Sequence, residues 1–286
     1  MMRPPSQPSN SRTILNPISP ITGTKRVLAA SLFAVVAVTC ISGHPARAED
    51  PEISARRTAE RKNFTDAEIT EGFFKITFGA ELHFRGAVDR IRKYDRPIRV
   101  YVENRAKPDR RAEVAEVVAD IRARIEHIDI SMTADRKKAD VVVTLVRNRD
   151  LNRTIRALFG RDNARRIVRS LDPQCLSGFR KDENFRIVHS NVILTTDTGD
   201  FIFRDCAYEE ILQSLGPIND DSSVPWTMFN DDVNMGFFDV YDQHILNILY
   251  DPRIRPGMTR DAVRALLPQV LPSVRAWVNR TNSPKP

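Results

Sequence analysis

The residues best suited to chemistry lie in one short segment, 206–220, which reads Cys-Ala-Tyr-Glu-Glu-Ile-Leu-Gln-Ser-Leu-Gly-Pro-Ile-Asn-Asp. Residues four apart share one face of a helix, so Glu209 and Gln213 would project together from a helix here. Two adjacent carboxylates, Glu209 and Glu210, could supply one acid with a raised pKa and one ionised base. On a helix, however, neighbouring side chains diverge by about 100°, which makes joint action on one substrate atom difficult.

The spacing of this segment resembles the metzincin pattern H-E-x-x-H-x-x-G-x-x-H, in which three histidines bind zinc. Glu209 and Gln213 stand at the first two histidine positions, and Asn219 stands at the third. Glu210 occupies the general-base position, and Gly216 occupies the position of the glycine. The resemblance implies a metzincin-like helix in which all three zinc-binding imidazoles are replaced.

The replacements offer a poor set of zinc ligands. Catalytic zinc uses nitrogen or sulfur donors with at most one carboxylate among three protein ligands. Glu209, Gln213 and Asn219, or the neighbouring Asp220, provide oxygen alone, which suits calcium, magnesium or manganese. Those ions usually need six or more donors, so we predict that no metal and no other cofactor is bound. The alternative is a hard cation held by Glu209 and Asp220.

Residues downstream extend the resemblance. The segment 227–230 is similar to the methionine turn beneath the metal, which would place Met228 under the helix, and 242–250 is similar to the closing helix of matrix metalloproteinase-like members. With the further runs 215–220 and 249–259, the chain resembles the exported bacterial family known as domain of unknown function 2927. The resemblance covers roughly residues 64–267. It implies an α+β domain, with a mixed sheet backed by helices and an active-site-like helix at Glu209–Leu215.

The first 48 residues have the three parts of a secretory signal peptide. Two basic residues precede an uncharged, largely apolar run over 27–43, and an Ala-x-Ala site ends at Ala48. We predict cleavage after Ala48 and a periplasmic or secreted mature protein that does not span a membrane. The alternatives are an uncleaved anchor and a lipoprotein modified on Cys40.

The net charge narrows the possible binding partners. The formal net charge is +7, but five basic and no acidic residues lie in the first 48, which leaves +2. This near-neutral charge removes the electrostatic argument for nucleic acid as a partner.

After cleavage only two cysteines remain, Cys175 and Cys206. An even count in an oxidising compartment predicts a disulfide between them, with two unrelated buried thiols as the alternative.

Hydrophobic periodicity predicts alternating strands and helices, which is typical of a mixed sheet backed by helices. The predicted strands are 97–102, 129–133 and 139–146, the last of which is an apolar run typical of a strand covered on both faces. Helices are predicted after Thr65, after Asp109, and over 151–159 and 163–171. A hairpin is predicted with strands at 185–196 and 201–203, joined by a turn at 197–200.

The expected organisation is a flexible lead-in over 49–63, one domain over 64–267 and a C-terminal tail over 268–286. The main functional hypothesis is a metal-free, peptidase-derived protein that binds an extended peptide or cell-envelope ligand by strand addition near 191–196. One alternative is a hydrolase that works through Glu209 and Glu210. The other is a structural protein of the cell envelope.

Overall fold

A five-stranded mixed sheet organises the fold in the computed structural model, which describes residues 49–79, 89–171 and 174–283. The strands are β1 (Ile98–Asn104), β2 (Ile130–Met132), β3 (Val141–Val146), β4 (Leu176–Lys181) and β5 (Ile187–Thr195). Their order in the sheet is β2-β1-β3-β5-β4. Four strands are parallel, and β4 alone runs antiparallel to its neighbour β5. The predicted α+β class with a mixed sheet is confirmed.

Helices cover both faces of this sheet. They are α1 (Pro51–Ala59), α2 (Asp66–Thr77), α3 (Arg111–Arg124), α4 (Leu151–Phe159), α5 (Arg161–Leu171), α6 (Asp200–Gln213), α7 (Val240–Tyr250) and α8 (Arg260–Asn282). Strand β3 is buried at every residue, as its apolar run predicted. Val143 belongs to the large core shared with α3 and α6, whereas Val146 belongs to a smaller cluster under α4 and α5. The sheet therefore separates two apolar layers.

Local signals account for several helix boundaries. Thr65 and Glu68 form a complete capping box at the start of α2. Asp239 caps α7 by accepting a hydrogen bond from the backbone N–H of Asp242, and Thr259 caps α8 in the same way. The predicted helices after Thr65 and over 151–159 are confirmed by α2 and α4.

The predicted hairpin is wrong in its second strand. Residues 201–203 form the first turn of α6, which begins at Asp200 directly after Gly199. Phe203 is fully buried in the large core, so packing of the helix overrides the β preference of its aromatic residues. The true hairpin partner of β5 is β4, which precedes it. The short stretch 176–181 has too weak an alternation to be recognised as a strand.

The expected lead-in and tail also differ from the structure. Residues 51–59 form helix α1, in which Asp50 is the N-cap and Ile53 is buried in the core. Helix α8 continues through Pro268 and Pro272 to Asn282, because its buried residues pack along α7. These buried residues of α8 are Val263, Leu267, Val270, Leu271, Val274 and Val278. Both ends therefore belong to one compact unit, Ala48–Pro286.

The predicted disulfide is present. Cys175 and Cys206 are bonded, with their Cα atoms 5.9 Å apart, and the bond ties the residue before β4 to the middle of α6. The predicted signal peptide, with its cleavage site at Ala48, lies outside the described residues. Among the helices that the structure describes, none combines the length and apolar character needed to cross a bilayer.

Candidate functional site

A cavity of about 330 Å³ opens between α6, the start of β4 and the loop that joins α6 to α7. Its lining comprises Ile202, Asp205, Cys206, Glu209, Glu210 and Gln213 from α6, Gln174, Cys175 and Leu176 from the wall at β4, and Asp220, Asn230, Asp231, Val233 and Asn234 from the loop. The disulfide joins two of these walls. The cavity is thus built on covalently linked elements.

Carboxylates dominate the chemistry of this cavity. Five acidic residues line it, and no lysine, arginine or histidine is among its described lining residues. One of the five, Asp205, accepts hydrogen bonds from the backbone N–H groups of Met235 and Gly236 and from the side chain of Asn234. Asp205 therefore holds the far side of the loop in place.

Three other carboxylates converge. One oxygen each of Glu209, Asp220 and Asp231 lies within 4.8 Å of the other two. Glu209 and Asp220 are half-buried, and Asp231 is exposed at the mouth. Carboxylate oxygens at this separation could accept hydrogen bonds from one cationic group or coordinate one hard cation.

Gln213 connects the sheet to this group. Its side-chain oxygen accepts a hydrogen bond from the Ser177 hydroxyl of β4 at 3.2 Å. Its side-chain nitrogen donates to the two carboxylate oxygens of Asp220 at 2.9 and 3.3 Å. Gln213 is therefore a positioning residue that directs the Asp220 carboxylate into the cavity.

Burial and repulsion between carboxylates raise the pKa values of Glu209 and Asp220. Burial, with the nearby Asp231, raises the pKa of Asp220 to about 7, although the Gln213 hydrogen bond opposes the shift. Burial also raises the pKa of Glu209 well above its usual range, and Glu210 and Asp220 add to that shift through charge repulsion. A bound cation would relieve this cost, because it would stabilise the ionised forms.

The sequence-predicted residues divide into two groups. Glu209, Glu210, Gln213 and Asp220 all line the cavity. Glu210, expected as the general base, is buried in the wall with 6% of its surface exposed.

Asn219, Gly216 and Met228 lie outside this lining. Asn219 instead donates a hydrogen bond to the Lys75 carbonyl at the end of α2. Gly216 has a φ of 141°, and an added Cβ would lie 2.3 Å from the Arg92 carbonyl oxygen. Its role is therefore a close approach of two backbones, as expected of a glycine that lets the chain turn.

The Met228 turn packs in the core. The Met228 side chain is buried, and its backbone N–H donates to the Asp242 carboxylate at 2.7 Å. The Thr227 hydroxyl donates to the same carboxylate at 2.6 Å. Asp242 is on α7, so this helix holds the turn.

Sequence reasoning missed Asp231 and Ser177. Asp231 lies 22 residues after Glu209 in a loop without regular spacing, so no local pattern indicates that it returns to the helix. Ser177 belongs to the unrecognised strand β4. The tract Asn230-Asp231-Asp232 is a weak signal, since acidic and amide side chains cluster in it.

The edge available for strand addition is also different from the one expected. Residues 191–196 fall largely on β5, which pairs with β3 on one side and β4 on the other, so that position is wrong. Strand β4 is at the edge of the sheet. Among the described residues, the backbone of β4 forms backbone hydrogen bonds with β5 only. Its first residue, Leu176, lines the cavity.

We expect Asp220→Asn to stabilise the protein at high pH. The pKa of Asp220 is about 7 in the folded protein and near 3.8 when unperturbed, so ionisation of Asp220 destabilises the fold as pH rises from about 4 to 7. Asparagine does not ionise and still accepts from Gln213. The variant should gain roughly 2–4 kcal/mol at pH 8 and little at pH 4. Urea denaturation at both pH values measures this gain.

Asp232→Asn is the matched control, because Asp232 is an exposed carboxylate of the same loop that does not line the cavity. It should change stability equally little at both pH values. An equal gain for Asp220→Asn at pH 4 and pH 8 would contradict the raised pKa.

These features define a class: an α+β domain with a mixed sheet, a disulfide-braced helix and an acidic cavity at its edge strand. The chain belongs to the family described as Protein of unknown function (DUF2927), whose model matches residues 66–269. This match confirms the family resemblance of the sequence. No curated protein matches the chain significantly.

Proposed function

We propose that this protein is an exported, zinc-free binding protein on a metzincin-like framework, which holds an extended peptide against the edge of β4. In this proposal one cationic side chain of the peptide enters the acidic cavity. The observation that carries it is the continuity of the edge strand β4 with a cavity lined by five acidic residues.

The edge strand supports an extended ligand. An edge presents backbone N–H and C=O groups that an added strand can pair with. Phe179 is half-buried, and Arg180 and Lys181 are exposed, so the far end of β4 is accessible. A peptide paired along β4 would reach the cavity at Leu176, where the strand begins.

The carboxylates support a cationic side chain. Glu209, Asp220 and Asp231 face one another without a basic residue among the described lining. Their repulsion and burial disfavour the empty, ionised state. A lysine or arginine side chain would supply the missing positive charge and several hydrogen-bond donors.

The arrangement around the cavity supports the metzincin-like framework. Helix α6 carries Glu209 and Gln213 one turn apart, the Met228 turn is buried, and α7 follows it as the closing helix. The predicted signal peptide supports an exported location, in which the disulfide would persist.

A peptide-binding assay tests the proposal. The probe is a fluorescein-labelled nonapeptide of alternating threonine and valine with lysine at its centre, and fluorescence anisotropy gives the Kd for residues 49–286. Replacing lysine by norleucine should raise the Kd about tenfold or more, because a charge-assisted hydrogen bond contributes roughly 1.5–3 kcal/mol. Methylating alternate backbone nitrogens should also weaken binding, since it removes donors to β4.

Neighbouring aspartates provide the matched variants. Asp231→Asn and Glu209→Gln should reduce the preference for lysine over norleucine, whereas Asp232→Asn should leave it unchanged. Equal binding of the lysine and norleucine peptides to the parent protein, or no binding of either, would reject the proposal.

A second candidate is hydrolysis of the bound peptide by these carboxyl groups. The observation in its favour is the pKa of Asp220 near 7 beside Glu209, which suits proton transfer at neutral pH. Mass spectrometry of the same peptide, incubated with and without calcium or manganese, separates the two candidates. Intact peptide supports binding alone, and cleavage that Asp220→Asn abolishes supports the hydrolase.

A further inference from the structure

Positive charge is concentrated on one part of the surface. Residues 147–171, which include α4 and α5, contain eight arginines and two aspartates, a net charge of +6. The rest of the chain from Glu49 onward has a net charge of −4. Such segregation indicates an interaction surface for an anionic partner.

Most of these arginines are exposed and weakly paired. The exposed ones are Arg149, Arg153, Arg156, Arg161, Arg165 and Arg166. Asp150 pairs with Arg153 and Asp162 pairs with Arg165, and both pairs are at the surface, where ion pairs contribute little. Within the described residues, Arg156 and Arg161 form no ion pair. Arg156 and Arg161 are therefore available to a partner.

The two helices are anchored so that this face stays outward. Leu151 and Ile155 of α4 and Ala164 and Ile167 of α5 are buried against the sheet. The arginines accordingly project from the opposite faces of both helices. At the junction of the helices, Leu158 and Phe159 are half-buried and pack against the same buried cluster.

We propose that the α4–α5 surface docks this protein on a bilayer that contains anionic phospholipid. Arginines bind lipid phosphates, and each basic residue near an anionic membrane contributes roughly 1 kcal/mol. This surface is distinct from the acidic cavity.

The charge distribution favours a bilayer over a nucleic acid. The helices are only about 14 and 17 Å long, so a long polyanion would extend past them onto the negatively charged remainder of the molecule. A bilayer contacts one face of the protein and leaves that remainder in solvent. The contact would be peripheral and sensitive to salt.

Co-sedimentation with vesicles tests the docking. The protein is residues 49–286, which form one compact unit and lack the apolar run 27–43 that could insert by itself. We expect binding to phosphatidylcholine vesicles with roughly 30% phosphatidylglycerol, little binding to phosphatidylcholine alone, and release at about 0.5 M salt. The triple variant Arg156→Glu, Arg161→Glu, Arg165→Glu should lower the partition coefficient at least about 100-fold.

A second triple variant has the same change in net charge: Arg136→Glu, Lys137→Glu, Lys138→Glu. These residues are exposed just before β3, about 20 Å of strand away from α4. Binding should stay within about threefold of the parent. Absence of binding to the anionic vesicles, equal losses in the two variants, or tighter binding to a duplex DNA than to the vesicles would overturn the proposal. Circular dichroism verifies that both variants fold.

Discussion

A variant with Glu209→His, Gln213→His and Asp220→His is expected to bind zinc at least about 100-fold more tightly than the parent, which should contain no stoichiometric zinc. Three imidazoles replace a set of oxygen donors that zinc disfavours. Glu209 and Gln213 lie one helical turn apart on α6, and the Gln213 side chain already reaches the Asp220 carboxylate at 2.9 Å. The three histidines would therefore face one point.

The matched control moves only the third histidine, with Glu209→His, Gln213→His and Asn219→His. Sequence spacing alone favours Asn219 as the third ligand. In the structure its side chain bonds to the Lys75 carbonyl and lies outside the cavity lining, so this variant should have only the weak affinity of two imidazoles. Isothermal titration with zinc compares the variants, after purification without a metal-affinity resin.

Two outcomes would contradict this account. Tighter zinc binding by the Asn219 variant would show that the loop after Gly216 places Asn219, and not Asp220, beside the helix. Stoichiometric zinc in the parent, measured by elemental analysis, would refute a zinc-free site. Stoichiometric calcium or manganese would instead support a cation held by the oxygens of Glu209, Asp220 and Asp231.

The second large effect concerns the disulfide. We expect Cys175→Ser with Cys206→Ser to lower the free energy of unfolding by about 3–4 kcal/mol, because the bond closes a loop with a sequence separation of 31 residues. For a domain of this size the loss corresponds to a fall in Tm of about 6–16 °C. Both cysteines also line the cavity, so affinity for the lysine peptide should fall as well.

Calorimetry and urea denaturation with and without a thiol reductant measure this effect. Reductant should destabilise the parent to the level of the double variant and should not affect the double variant itself. If the parent protein is equally stable with and without reductant, the disulfide does not stabilise the fold. If the destabilised double variant keeps its affinity for the lysine peptide, the shape of the cavity does not depend on the disulfide.

Local sequence was sufficient for much of the scaffold. The Thr65–Glu68 capping box, the apolar run of β3 and the amphipathic pattern of α4 each depend on residues close in the chain. These signals led to the correct fold class because the period of apolar residues reports which faces are buried. The pairing of Cys175 and Cys206 followed from their count.

Tertiary structure decided where the sequence signal was weak or where distant segments meet. Strand β4 exists because β5 offers it a partner, and 201–203 is helical because Phe203 fills the core. Helix α1 and the end of α8 are ordered by burial of a few apolar side chains that composition alone does not reveal.

The site shows the same division. Sequence spacing placed Glu209 and Gln213 on one helix face, since the two residues are four positions apart in the same helix. It did not determine whether Asn219 or Asp220 turns toward that face, nor that Asp231 returns to it. A loop has no fixed period, so the direction of its side chains depends on contacts such as those of Gln213 with Asp220 and of Asn219 with Lys75.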